Sequence, residues 1–151
     1  MKILVKDISP DGMQVSGKDD GSVMELGDDL VTGCHSLSYD LFVQEMDDEL
    51  LVRGKIAADI GFSCVGCLKN FEKTIEERDF GVLLPIPDDS TAVDLTPEVR
   101  DAIILNFPSY PKCGDGCKGL CAQCGANLNE GACECQPEDV SPWGDLDKLE
   151  I

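Results

Sequence analysis

The chain has 151 residues and a formal net charge of −18, from 30 acidic and 12 basic side chains. That length suits one compact domain or a domain with a small appendage, and apolar residues at 42% are enough for one core. The charge argues against bare nucleic acid as a partner, because counterion release needs clustered Lys and Arg, and no basic stripe is present.

Acidic pairs are scattered instead, at Asp28-Asp29, Asp47-Asp48-Glu49, Glu76-Glu77, Asp88-Asp89 and Glu138-Asp139. They read either as a solvated surface or as attraction to a basic protein. The opening Met1-Lys2-Ile3-Leu4-Val5-Lys6-Asp7 is apolar for only three residues before charge returns, so no secretory leader is expected. No run of about 18 apolar residues predicts a membrane span. The expected compartment is a reducing cytoplasm, where clustered thiols mean metal or redox chemistry more often than disulfides. Nine cysteines also cannot all pair within one chain.

In chain order, residues 1–80 read as β-rich. Ile3 to Ile8 and Met13 to Val15 predict a weak hairpin around Pro10-Asp11-Gly12. Tyr39 to Met46 predicts a strand, with Asp47-Asp48-Glu49 as the turn after it. The clearest strand runs from Val52 to Cys64. Val52, Gly54, Ile56, Ala58, Ile60, Phe62 and Cys64 share one parity, the period-2 signature of one buried face. Leu68 to Phe80 can return antiparallel to it. Residues 85–93 read as a loop. A helix over about 97–106 follows, with Thr96 as N-cap, Pro97 at the first helical position and Glu98 near the positive end of the dipole. Val99, Ala102, Ile103 and Asn106 line one face, which would cover the sheet, and Pro108 ends it.

Six cysteines then fall between Cys113 and Cys135 in a stretch rich in Gly and Asn. Such a segment cannot bury much apolar surface, and thiolate-bound metal is the first candidate to hold it. Cys121-Ala-Gln-Cys124-Gly125 has the form of a metal knuckle, where Gly125 can take positive φ and let backbone N–H groups approach the sulfurs. Asn127, Asn129 and Gly131 are turn formers that can bring Cys133 and Cys135 to the same ion. The leading assignment is a structural zinc held by Cys121, Cys124, Cys133 and Cys135; rival sets swap in Cys113 or Cys117. A closed set of four sulfurs leaves no position for water and so argues against metal hydrolysis.

A second pair, Cys64-Val65-Gly66-Cys67, falls at the predicted hairpin tip. A two-residue turn would set Cys64 and Cys67 opposite each other. They could be a plain thiol pair, a second metal site with Cys113 and Cys117, or a redox pair. Cys34 is left over. His35 is the single histidine, and its neighbour Cys34 would point to the other side of a strand, so a Cys-His nucleophile is not expected. A phosphate loop is absent. The chain reads as no enzyme. A tail closes the sequence, with Trp143, Leu146 and Leu149 spaced for a short helix that straps onto the core or anchors in a partner groove.

The order of these motifs is familiar. Cys64-x-x-Cys67-Leu68 precedes Val93-Asp94-Leu95, then Ile103-Ile104-Leu105 before Pro108. Cys117-Lys118-Gly119-Leu120-Cys121, Cys124-Gly125-Ala126-Asn127-Leu128-Asn129, Cys133-x-Cys135 and the Trp143-x-x-Leu146-x-x-Leu149 tail follow. Over roughly residues 50–150 the chain resembles the YceD family, the large ribosomal RNA subunit accumulation proteins. Gly66 stands where the family usually has Arg, which removes any RNA contact that Arg would make. Members lacking the downstream cysteines tend to keep the upstream pair, which weighs against Cys64 and Cys67 sharing an ion with Cys113 and Cys117. The resemblance implies a cytoplasmic factor for normal levels of large-subunit ribosomal RNA, without catalytic residues.

Together these readings predict a β-rich α+β protein, an antiparallel sheet or small partly open barrel with one covering helix and a zinc-ribbon-like C-terminal segment. The expected divisions are a β-rich domain over 1–111, a cysteine-rich segment over 112–136 and a strap over 137–151. The expected function is assembly of the large ribosomal subunit through a basic ribosomal protein or precursor particle, with no small-molecule substrate. The alternative is a thiol redox or metal-responsive regulator using Cys64 and Cys67.

Overall fold

A computed structural model describes residues 1–27, 30–86 and 92–135. The tail with Trp143, Leu146 and Leu149 and most of the 85–93 loop lie outside them.

Alternating side chains build the centre of the molecule. Four strands, β2 (Met13–Asp20), β3 (Val31–Met46), β4 (Glu49–Ser63) and β5 (Asn70–Pro85), form one antiparallel sheet in sequence order. In β4 the predicted parity holds: Val52, Ile56, Ala58, Ile60 and Phe62 are buried, and so is Cys64 just past its end. Leu37, Leu41 and Val43 of β3 and Ile75 and Phe80 of β5 join them in one core. The sheet is open, with β2 and β5 at its ends, so the barrel alternative is not adopted.

Three strand readings change. β3 starts at Val31 rather than Tyr39, because its pairing with β4 runs back to Val31–Phe62 through irregularities at Val31/Gly33 and Cys34/Ser36. The turn after it is Asp47-Asp48, with Asp47 at φ 55, and Glu49 already pairs with Met46. The hairpin around Pro10-Asp11-Gly12 does not form. β1 (Lys2–Leu4) pairs instead with β6 (Ala92–Asp94), and Val5–Asp7 is a 3-10 turn. Three residues offer too little alternation to reveal a distant partner.

Gly54 shows why β4 needs a glycine inside its apolar run. Its φ is 153, and a Cβ there would lie 2.2 Å from the Asp40 carbonyl oxygen. The pairing with β5 slips at this point, between Gly54 and Ile56.

The helix α1 (Thr96–Leu105) touches β4 and β5 and buries Val99 and Ile103. Its entry differs from the sequence reading. Leu95 occupies the N-cap without a side-chain cap bond, and Thr96 is the first helical residue. Asp94 supplies the acceptor: the Thr96 backbone N–H donates to Asp94 Oδ1 at 2.9 Å and the Thr96 hydroxyl to the same oxygen at 2.6 Å. Asn106 ends the helix, donating to the Ala102 carbonyl and to Glu77 Oε2, each at 2.9 Å. Phe107 then stacks edge-on against Phe62, with ring centroids 5.2 Å apart, and fixes where the chain leaves for the cysteine segment.

Candidate metal centres

Beyond Pro111 no described residue is fully buried. The apolar effect therefore cannot hold residues 112–135, as their composition predicted. Two sets of four sulfurs lie there and at the β4–β5 tip: Cys64, Cys67, Cys113 and Cys117 in one, Cys121, Cys124, Cys133 and Cys135 in the other. Within each set the sulfurs are all within 4.8 Å of one another. Of the open alternatives, the structure thus places Cys113 and Cys117 with the upstream pair and outside the downstream set.

The first set joins distant parts of the chain. β4 ends at Ser63, and Cys64 to Lys69 form a longer connection than the two-residue turn expected: Cys64 N–H donates to the Lys69 carbonyl at 3.0 Å and Leu68 N–H to the Cys64 carbonyl at 2.9 Å. This turn carries both Cys64 and Cys67 into the interior. Backbone bonds dock the C-terminal segment onto it, from Val65 N–H to Pro111 carbonyl at 2.9 Å and from Leu120 N–H to Gly66 carbonyl at 3.0 Å. The Cys64 and Cys117 sulfurs are then 3.7 Å apart, and those of Cys67 and Cys113 3.6 Å apart.

Those separations test the fit of a metal. Zinc binds thiolate at about 2.3 Å, and a tetrahedron of that radius puts its sulfurs about 3.8 Å apart. A disulfide would need about 2.05 Å. Four soft sulfurs without a carboxylate or open ligand position fit a closed tetrahedral ion such as zinc. At Gly66 a Cβ would stand 3.3 Å from the Cys117 sulfur, a tight contact beside the candidate ligand.

The second set is local. Gly125 N–H donates to the Cys121 carbonyl at 2.9 Å and Cys121 N–H to the Ala126 carbonyl at 2.8 Å, closing the knuckle. Gly125 has φ 72, the left-handed conformation expected of it. A bridge between Leu120 and Asn127 reverses the chain, and Leu128 N–H donates to the Gly119 carbonyl at 3.0 Å. Cys133 and Cys135 return to the knuckle.

The same electrostatic pattern appears in both sets. The Cys113 backbone N–H, with those of Cys67 and Gly66, holds Cys64 down to about 6 against its burial. The backbone N–H groups of Cys124 and Gln123 bring Cys121 to about 6. Their neighbours move the other way: the sulfurs of Cys67 and Cys117 push Cys113 up to about 12, and those of Cys124 and Cys121, with burial, push Cys135 up to about 12. Cys67 is raised although the Lys69 backbone N–H opposes it, and Cys133 is raised although the Cys135 N–H opposes it. One thiolate per set is stabilised by N–H groups; four so close repel unless a cation joins them.

Asn129, marked by the sequence only as a turn former, also reaches a sulfur. Its Nδ2 donates to the Cys117 sulfur at 3.6 Å, and its Oδ1 accepts from Lys118 N–H at 2.8 Å. Asn127 Oδ1 accepts from both Nδ2 and the backbone N–H of Asn129, at 2.8 and 3.1 Å, and so orients it. Cys34 and His35 stay apart, as strand geometry predicted: the Cys34 thiol donates to the Ser36 carbonyl at 3.5 Å, while His35 Nε2 lies 3.5 Å from Glu72. A groove of about 400 Å³ is lined by Tyr39, Asp40, Lys55, Glu76 and Arg78 among others, and two of its walls carry paired polar groups. Arg78 binds Glu76 at 2.8 Å, and Gln14 binds Asp40 at 2.6 Å.

An open antiparallel sheet whose hairpin tip shares a four-sulfur cluster with a cysteine-rich C-terminal segment defines the class of this protein. Residues 80–150 match the family model described as large ribosomal RNA subunit accumulation protein YceD. A chloroplastic YCED homolog 1 of Zea mays is 34% identical over 83 residues, covering 54% of this chain and 27% of that protein. The Arabidopsis thaliana homolog is 36% identical over 67 residues, covering 42% of this chain and 21% of that protein. An uncharacterized protein of Mycobacterium tuberculosis is 30% identical over 107 residues, covering 61% of this chain and 51% of that protein. The chain thus spans about half or less of the length of these relatives. No solved structure matches it significantly. Among the described residues, no helix is long and apolar enough to cross a membrane.

Proposed function

We propose that this chain is a non-enzymatic factor in the accumulation of large-subunit ribosomal RNA. The observation that carries the reading is the match of residues 80–150 to the YceD family, over the stretch that holds six of the eight clustered cysteines. Two structural zinc ions would be held, one by Cys64, Cys67, Cys113 and Cys117 and one by Cys121, Cys124, Cys133 and Cys135. When bound, each supplies a cross-link and a dication that neutralises crowded thiolates. All four ligand positions are protein sulfurs, which favours a structural over a hydrolytic role. The protein is proposed to work in the cytoplasm; the plant relatives carry chloroplastic in their names.

The partner proposed is a basic ribosomal protein or a precursor particle coated with such proteins. A net charge of −18 repels naked RNA and attracts cationic surfaces. A tagged pull-down with mass spectrometry and RNA sequencing tests it: large-subunit proteins should be enriched, and binding to purified large-subunit RNA alone should be weak. Tight binding to that RNA without protein contradicts the mechanism.

The thiol-regulator reading draws on the low-lying Cys64. That sulfur is fully buried, however, and sits 3.7 Å from Cys117, an arrangement that favours a ligand over a reactive thiol. Mass-tag counting of free thiols under mild oxidation separates the two. Reversible loss of Cys64 and Cys67 with a change in activity supports the regulator.

A further inference from the structure

We infer that the two sulfur sets are not independent metal sites but a coupled pair, with Asn129 as the positioning residue that links them. The inference rests on the metal reading above and goes beyond it.

Three observations point the same way. Cys117 of the first set and Cys121 of the second are separated by Lys118-Gly119-Leu120 alone. Two residues of that tripeptide are tied: Leu120 N–H donates to the Gly66 carbonyl beside the first set, and the Gly119 carbonyl accepts from Leu128 within the loop of the second. Asn129, between the second set's own ligands Cys124 and Cys133, reaches Cys117 with its amide N–H and holds Lys118 N–H with its amide oxygen.

The loop 125–132 has no buried side chain to order it. A metal on Cys121, Cys124, Cys133 and Cys135 closes a short loop, at a low entropy cost. Closure fixes Asn127 and through it Asn129. The Asn129 amide then donates to the Cys117 sulfur at 3.6 Å and holds it oriented toward the other three sulfurs of its set. Filling the local set therefore prepares the first set, whose ligands come from segments 46 to 53 residues apart at their short contacts. Reciprocity requires that the first set help the second by the same factor.

The test titrates metal-free full-length chain with Co²⁺ under reducing conditions. Sulfur-to-cobalt absorption counts the sites, and chelator competition gives each affinity. Wild type should bind two equivalents. Cys133→Ser with Cys135→Ser should weaken the remaining site about tenfold, within the usual range of coupling between sites. Asn129→Ala should weaken the first set without changing the intrinsic affinity of the second, as measured with Cys113→Ser and Cys117→Ser in the background. Asn129→Asp keeps the oxygen that accepts from Lys118 but sets an anion against Cys117; it should do at least as much damage as Ala. A merely structural role for Asn129 would leave Asp close to wild type, which would overturn the link. Two equivalents with affinities indifferent to these changes would overturn the coupling alone. Binding of no metal would instead remove the metal reading beneath it.

Discussion

Cys64 and Cys117 lie 53 residues apart in sequence, and their sulfurs lie 3.7 Å apart in space. The first sits past the end of a core strand, the second in a segment with no buried side chain. The contact joins the hairpin tip to the C-terminal cysteine segment.

Replacing Cys64 or Cys67 by Ser should lower the bound metal from two equivalents to one and free residues 112–135 from the hairpin tip. Elemental analysis with limited proteolysis checks it: new cleavage should appear between Phe107 and Cys121. Two retained equivalents would speak against the assigned ligands.

Stripping metal with a strong chelator should leave the sheet folded, because its core of Leu41, Val43, Leu50, Val52 and Ile60 is complete without sulfur ligands. Far-ultraviolet circular dichroism should keep its strand signal, while amide exchange in 112–135 rises to near that of an unstructured chain. A cooperative loss of the whole sheet would mean that metal supports the core as well.

Phe62→Ala should cost about 3–5 kcal/mol of stability, since it empties a fully buried site that meets both Phe71 and Phe107. Chemical denaturation measures it. The larger consequence is positional: loss of the Phe107 contact loosens the exit toward Cys113, so metal affinity of the first set should fall as well.

Asp59 accepts from the Ser36 hydroxyl and the Thr74 hydroxyl, each at 2.7 Å, and these bonds hold its carboxyl below the ordinary value of 3.8. A lowered folded-state value means stabilisation that is complete above about pH 4 and is lost as pH falls through the folded value. Asp59→Asn should therefore be less stable than wild type at neutral pH and converge with it in strong acid. Denaturation across pH 2–7 reads the difference. The carboxyl is largely in solvent, so the effect should be small.

Much of this architecture was legible beforehand for local reasons. The parity of Val52 to Cys64 dictates which face of β4 is buried, because side chains alternate whatever the partner strand. Pro97 and Pro108 bracket α1 within three residues, and Gly125 follows the knuckle in the conformation only its missing side chain permits cheaply. A Gly- and Asn-rich run with six cysteines likewise announces that something other than apolar burial must hold it.

What depended on distant pairing was out of reach. β1 found β6 rather than β2, Asp94 rather than Thr96 supplied the side-chain acceptor at the start of α1, and among the readings left open for Cys113 and Cys117 the fold assembles the one with Cys64 and Cys67. Sequence alone sets periodicity, charge and the number of sulfurs, since these are properties of neighbours along the chain. Tertiary structure decides which four sulfurs meet. That choice is made by the docking of Pro111 and Leu120 onto Val65 and Gly66, a contact between segments whose separation no local pattern encodes.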